Sequence, residues 1–502
     1  MKLKSVQISN FRCFDSLSID LDQQLTVLVA KNGQGKSTVL DAIRIGLWPF
    51  VSGFDLAHTG YNDPANAISI DDVRMLRKPS GQMVRQLPCK ITLQGDYEIN
   101  LTPGSLPPLP LLSENEEVVI DKKQQKHKIK YPWTRSRNSE AKGTKTKDDP
   151  GTKLVKYLAE FTQYEIRNPE SLDTNLSVIG YYGTGRLWSQ KRLTEGKKAK
   201  GKQTTDFYMR LFGYRDCLDP ASSYKHFADW FTWIFECYME EKFKLSESFK
   251  LSESFKLSES PLSGGSSSPE TDSVWSNIIQ VVQQATNSIL LETGWHTLEY
   301  SVSNEKSLVL KHEEYGTLKV EQLSDGIRNV LGMVGDIAYR CLKLNPHLGL
   351  NAAKEARGVV MIDEVDMHLH PSWQQTILGG LIKAFPKIQF IITTHSPQVI
   401  STVPGHQIRI LDGNQVYSAE EGTQGAEASR ILKEVFSVEL RAQHLEIVQK
   451  LNRYLKLVDD DEWDTEEALT LRQALDEWSH GHEPELIKAD IDIRMKEFQR
   501  QL

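Results

Sequence analysis

Four short strings hold residue types that can do chemistry together. They are AKNGQGKST at Ala30–Thr38, QLSDGIR at Gln322–Arg328, VVMIDE at Val359–Glu364 and TTHS at Thr393–Ser396. A triphosphate needs many donors and little side-chain bulk around it. A Gly-rich turn between a strand and a helix N-terminus supplies both, through backbone N–H groups and the helix dipole. Asn32, Gly33, Gln34 and Gly35 form such a turn. Lys36 would reach the β- and γ-phosphates, and the hydroxyl of Ser37, followed by Thr38, would ligate Mg²⁺. Ala30 stands where such loops carry their first glycine, a departure that a negative φ accommodates. VVMIDE ends an apolar run with two carboxylates. Asp363 can hold Mg²⁺ through water, and Glu364 can orient and polarise an attacking water. An acidic turn after a core strand would explain one carboxylate, but not both beside a Gly-rich loop. IQFIITTHS places His395 at another strand end, where it can hydrogen-bond a γ-phosphate. Alone, such a histidine is more often structural.

The elements that must position these groups are legible from period and punctuation. Val6 and Ile8 alternate with polar residues, and SLSIDL and QLTVLVA follow, so residues 2–30 read as three short strands. The third runs into the Gly-rich loop, and Ser37–Trp48 reads as the helix after it. CKITLQGDYEINL (89–101) resumes strand character. From Leu318 to about Asp412 helices alternate with buried strands, which implies a mostly parallel sheet. In it, the VVMIDE strand is expected beside the strand of the Gly-rich loop. After Gly425 the chain reads as helical and acidic. The cluster Asp459–Glu462, Asp464, Glu466 and Glu467 is expected to be a solvated helix start rather than a metal site.

The 502-residue chain carries a net charge of −7 with pI near 6.1, so any nucleic-acid surface must be local. Five scattered cysteines form no CxxC, which suits reduced thiols. No run approaches 18 apolar residues and the start lacks a signal-peptide core, so a cytoplasmic protein with no membrane contact is expected. Residues 121–147 carry ten Lys or Arg against Asp121 and Glu140, and Lys191–Lys202 carries six against one acid. Each run reads either as a solvated loop or as a surface for nucleic-acid backbone. FKLSES occurs three times in tandem at 243–260, too short a period for a solenoid, and reads as an expansion in a surface loop. No sustained heptad marks a coiled-coil arm.

QLSDGIR resembles the signature loop of the ABC ATPases, LSGGQ, written LSxGxR in the RecF/SMC/OLD branch. Ser324, Gly326 and Arg328 match, while Asp325 and Ile327 fall at variable positions. The resemblance implies an α/β fold: an ABC-type ATPase head with a parallel-sheet nucleotide-binding core and an antiparallel β lobe. A helical insert region and a C-terminal helical region complete it. It also implies ATP and Mg²⁺ as cofactors, ATP hydrolysis, and a signature loop that caps the γ-phosphate held by a second subunit. Within NFRCF, Arg12 then lies near the nucleotide, and Asp366 falls in the D-loop. HLHP (368–371) reads as structural rather than a metal pair. The Q-loop residue stays open between Gln94 and the YYGTGR segment, Tyr181–Arg186.

ISIDDVR (68–74), IGYYGTGRLW (179–188), LSDGIRN and ASRILKEVF further resemble the PtuA ATPases of Septu and retron-linked anti-phage systems. That implies a homodimer or higher oligomer of head-to-head dimers that controls a partner HNH nuclease. A retron reverse transcriptase and its RNA–DNA product could join, with nucleic-acid contact through the basic inserts. Four regions are expected: ATPase lobe 1–100, insert 101–317, second ATPase lobe 318–420 and helical region 421–502. A RecF-like repair ATPase and an ATP-locked scaffold with incidental turnover stand as alternatives. An OLD-type nuclease would need a strand-borne DxD, and Asp490–Asp492 sits in a helical context instead.

Overall fold

The computed structural model describes residues 1–57, 64–100, 118–121, 126–169, 173–186, 205–220, 225–256 and 273–501. The chain divides into two units, Met1–Glu427 and Ala428–Leu502. The first unit opens with β1 (Lys2–Phe11), β2 (Phe14–Asp20), β3 (Leu25–Val29) and α1 (Lys36–Ser52). A small hairpin, β4 (Met75–Arg77) and β5 (Met83–Arg85), precedes β6 (Cys89–Asn100), β7 (Val118–Asp121), β8 (Lys126–Arg137) and β9 (Lys147–Asp148). Then come α2 (Pro150–Arg167), β10 (Val178–Tyr182), α3 (Lys225–Lys256), α4 (Val274–Leu290), β11 (Trp295–Ser301), β12 (Ser307–His312) and β13 (Gly316–Lys319). The unit closes with α5 (Asp325–Leu344), α6 (Ala352–Glu355), β14 (Gly358–Ile362), α7 (Pro371–Gln374), α8 (Ile377–Ala384), β15 (Ile388–Thr393), α9 (Pro397–Ile400), β16 (Ile408–Asp412) and β17 (Gln415–Ser418).

Two sheets carry the architecture. One is antiparallel, in the order β2-β1-β6-β8-β7 with β9 on β8. The other runs β10-β14-β15-β3-β16-β17, parallel except for the last pair. Every residue of β3, β10, β14 and β15 is buried. That is why they read as unbroken apolar runs rather than alternating ones. The strand order corrects one expectation. The VVMIDE strand β14 is not beside β3; β15, which leads to His395, lies between them. Strand order follows from crossovers, for which no local residue pattern exists.

The first basic run is also corrected in part. Residues 126–137 are strand β8 rather than loop, and its inward face is Trp133, Arg135 and Arg137, all buried. Trp133 Nε1 donates to the Gly46 carbonyl of α1 at 2.7 Å. Arg135 donates to the carbonyls of Ile45 (2.8 Å) and Asn66 (2.7 Å) and to Asp148 (3.0 Å). Arg137 donates to the Thr144 carbonyl at 2.8 Å. Trp133 and Arg135 fasten the antiparallel sheet to α1, Arg137 ties down the 141–144 turn, and neither arginine is a nucleic-acid surface. Lys122, Lys123 and the whole second run lie outside the described residues. FKLSES is corrected too: from Phe243 to Lys256 it continues α3, and its last four residues lie outside the described ones.

The second unit holds α10 (Ala428–Glu434), α11 (Glu446–Asp459), α12 (Glu466–Ser479) and α13 (Pro484–Gln501). Leu451, Tyr454, Leu457, Trp463, Leu475 and Leu486 form its core. The acidic cluster runs from the end of α11 at Asp459 through the connecting turn into α12: Thr465 caps α12 by accepting from the Ala468 N–H, and Glu466 and Glu467 sit in its first turn, where the dipole favours anions. Asp490 lies in α13 and accepts from Arg472 Nη2 at 2.9 Å, an ion pair on a helix. Among the described residues no helix is long and apolar enough to cross a membrane.

Candidate functional site

The parallel strands bring three of the chemistry-bearing strings to one edge, because β3 ends just before the Gly-rich loop, β14 just before Asp363 and Glu364, and β15 at Thr393, two residues before His395. In open parallel sheets this carboxyl edge is where ligands bind. After β3 the loop turns through Gly33 (φ 81°) and Gly35 (φ 91°), left-handed conformations that glycine adopts without strain. A Cβ at Gly35 would also lie 2.5 Å from the Phe14 ring and 2.7 Å from Cys13 Sγ. No side chain caps α1, so its N-terminal N–H groups stay open to a ligand. Ala30 stays out of the left-handed region, which accommodates its methyl. Asn32, Gly33 and the Ser37 side chain's residue are exposed, Thr38 half-buried, and Gln34 Oε1 accepts from the Gly413 N–H at 3.2 Å.

Lys36 is 7 % exposed, and its ammonium donates to the Ala30 carbonyl at 3.1 Å. It also lies 2.5 Å from His395 Nε2. An ammonium only donates, so Nε2 accepts and the ring proton belongs on Nδ1. Burial lowers the Lys36 pKa, against the opposing pull of Asp363, Glu364 and Asp366. His395 is lowered by burial and then by Lys36, with the three carboxylates opposing. The imidazole is therefore held neutral.

TTHS does more than deliver His395. Thr393 Oγ1 donates to Asp363 Oδ1 at 2.6 Å and accepts the Glu364 N–H at 2.8 Å. Thr394 Oγ1 donates to Asp366 Oδ1 at 2.5 Å. Asp363 is 4 % exposed, with one carboxylate oxygen committed to Thr393. Ser37, at the start of α1, and Asp363, directly after β14, each offer a side-chain oxygen. Mg²⁺ takes few protein ligands of this kind and keeps several waters, so these residues fit it. Arg12 packs against the start of α1. Its Nη1 donates to Asp41 Oδ2 at 2.6 Å and its Nε to Asp72 Oδ1 at 2.9 Å. Burial works against its charge, but Asp41 and Asp72 outweigh it and raise the pKa.

The signature string forms the N-terminus of α5. Ser324 is the cap residue, Asp325 lies in the first turn and pairs with Arg328, and Gly326 packs on the His368 carbonyl. A Cβ at Gly326 would be 2.4 Å from that oxygen. His370 of HLHP caps α7 by accepting from the Ser372 N–H at 3.3 Å, a structural contact. Of the two Q-loop candidates, YYGTGR holds the last two residues of β10, the neighbour of β14, and the turn after them, at the same sheet edge. Gln94 sits in β6 of the antiparallel sheet, where it accepts from Ser5 Oγ at 3.4 Å.

Sequence reasoning missed three groups of residues. Thr393 and Thr394 hold the carboxylates, and their position beside His395 was the available signal. Asp41 and Asp72 hold Arg12; Asp72 lay unremarked inside ISIDDVR. Arg186 is 2 % exposed and donates to the Asp363 carbonyl, to the Glu364 carbonyl at 2.6 Å and to Asn329 Oδ1 at 3.0 Å. No local pattern announces contacts across such sequence distances.

A family model described as an AAA domain matches residues 5–259. A second, described as an AAA domain, putative AbiEii toxin, Type IV TA system, matches residues 225–401. The Retron Ec83 probable ATPase of Escherichia coli is 25 % identical over 527 residues, covering 99 % of this chain and 87 % of its own. The Retron Vc95 probable ATPase of Vibrio cholerae is 24 % identical, covering 82 % of this chain and 74 % of its own. The Septu protein PtuA of Bacillus mycoides is 38 % identical over 97 residues, 19 % of this chain and 13 % of that protein.

Proposed function

Because this chain belongs to the AAA-domain family, we propose that it binds ATP at Ala30–Thr38 and hydrolyses it at a site shared by two copies. The observation that carries this is the convergence of Lys36, Asp363, Glu364 and His395 at the ends of three neighbouring strands. Ser37 and Asp363 would hold Mg²⁺, which would supply neutralisation of the phosphate charge. Backbone N–H groups of Asn32–Thr38 and the Lys36 ammonium bind the phosphates. Glu364 orients the attacking water, and once the phosphate draws Lys36 away, neutral His395 shifts its ring proton from Nδ1 to Nε2 and donates from Nε2 to the γ-phosphate. Ser324, Asp325, Gly326 and Arg328 of a second copy close the site, and Asp366 carries information between the two.

The similarity to relatives named for retron and Septu systems supports reading this activity as part of an anti-phage complex. There the ATPase controls a partner HNH nuclease through head-to-head dimerisation in the cytoplasm, with a reverse transcriptase and its RNA–DNA product in retron versions. The direct test compares Lys36→Ala with Glu364→Gln. Lys36→Ala removes the charge that meets the phosphates and should abolish ATP binding. Glu364→Gln keeps every phosphate contact and should bind normally while turnover falls about 10²–10⁴-fold. Turnover at the wild-type rate in Glu364→Gln would overturn the assignment.

A further inference from the structure

The segment after β10 ties together parts of the molecule that the reaction must coordinate. Successive strand side chains point to opposite faces. Tyr181 accordingly lies by α1, its hydroxyl 3.5 Å from Asp41, while Tyr182 donates to Asp336 of α5 at 2.7 Å. Arg186 then turns inward under the two carboxylate residues. Its Nε donates to Asn329 Oδ1 at 3.0 Å, its Nη1 to Gly183 O at 3.0 Å and to Asp363 O, and its Nη2 to Glu364 O at 2.6 Å. Asn329 belongs to the signature helix, just after Arg328, and its amide also reaches Met367 O at 3.5 Å.

Two properties make this more than a buried ion. A guanidinium is one rigid plane with five donors, so moving one acceptor tilts the bonds to all the others. Glu364 also holds φ at 48°, a left-handed conformation that is unfavourable for a non-glycine residue. Such a conformation persists only where its surroundings impose it. Here the Thr393 hydroxyl fixes the Glu364 N–H and Arg186 fixes its carbonyl.

We propose that Arg186 is a positioning residue that couples the signature helix, through Asn329, to the placement of the Glu364 carboxylate in the same chain. The helix that carries Ser324 thereby holds the catalytic carboxylate of its own chain in place. This rests on the reading of Glu364 as the group that orients water.

The experiment uses the full chain and five variants: Asn329→Ala, Asn329→Asp, Arg186→Lys, the Arg186→Lys/Asn329→Ala double variant and the control Glu364→Gln. ATP affinity, KM, kcat and thermal midpoint are measured for each. Asn329→Ala and Arg186→Lys should keep ATP affinity and KM within about twofold, while kcat falls roughly 10²-fold, the effect of an ångström-scale misplacement. Asn329→Asp retains an oxygen for Arg186 Nε and should recover most of that loss. The Arg186→Lys/Asn329→Ala double variant should be no worse than the worse single, because both break one connection. Wild-type kcat in Asn329→Ala overturns the coupling while a dead Glu364→Gln leaves the functional reading standing. Parallel losses of affinity, kcat and thermal midpoint, without rescue by Asn329→Asp, reduce Arg186 to a structural residue and overturn it too. A fully active Glu364→Gln removes the functional reading and the coupling with it.

Discussion

At His395 the fold holds a neutral imidazole against a lysine ammonium, and this has a measurable sign. Burial and Lys36 lower its pKa, while Glu364, Asp366 and Asp363 oppose them without prevailing. In the unfolded chain the ring titrates near 6.5. As pH falls through that value the unfolded state takes up the proton first, so stability is lost on acidification. The nucleotide-free protein should therefore melt earlier at about pH 5.5 than at about pH 7.5. His395→Gln should show a smaller difference between the two. Melts of both proteins across that window check this, and identical pH dependence would contradict it. At this scale, reading from sequence works where chemistry is announced by neighbours, as at Lys36 or Glu364. It fails at Arg186, whose acceptors lie at Gly183 and again beyond residue 328.

Among the elements, β8 shows how a charge count misleads. Ten basic residues over 121–147 invite a solvated or phosphate-binding reading. Yet alternation along the strand turns Trp133, Arg135 and Arg137 to one buried face, and a two-residue period in charged residues carries no apolar signal. Arg135→Met would keep bulk but leave the Ile45 and Asn66 carbonyls without their donor. A loss of about 1–3 kcal/mol per buried group left unsatisfied is expected. Chemical denaturation should show it as a lower midpoint with an unchanged slope; an unchanged midpoint would return Arg135 to the surface reading. The strands β3, β14 and β15 were legible because each is buried on both faces and reads as an apolar run. Their order was not, since the placement of β15 between β14 and β3 depends on how the connecting helices cross. The continuation of α3 through FKLSES was hidden for another reason: a six-residue repeat drifts around a helix and marks no apolar face.

Nucleic-acid contact rests on the second basic run, Lys191–Lys202, which lies outside the described residues. Replacing Lys197, Lys198, Lys200 and Lys202 by Gln should weaken nucleic-acid binding and flatten its log–log salt dependence by roughly 3, at about 0.7–0.9 per phosphate. ATP turnover should not change, and an unaltered salt slope would leave the run as a solvated loop. The central claim is that one ATP is enclosed by the Gly-rich loop of one copy and the signature loop of another. Ser324→Arg and Lys36→Ala chains are each expected to be inactive alone, the first blocking closure, the second binding no ATP. Their mixed dimer concentrates both defects in one composite site and leaves the other intact. The most direct measurement is therefore ATP turnover of the purified mixed dimer beside the two parent homodimers. The account predicts that activity returns, up to about half the wild-type rate if the two sites turn over independently. A verified mixed dimer as inactive as its parents would contradict the shared site.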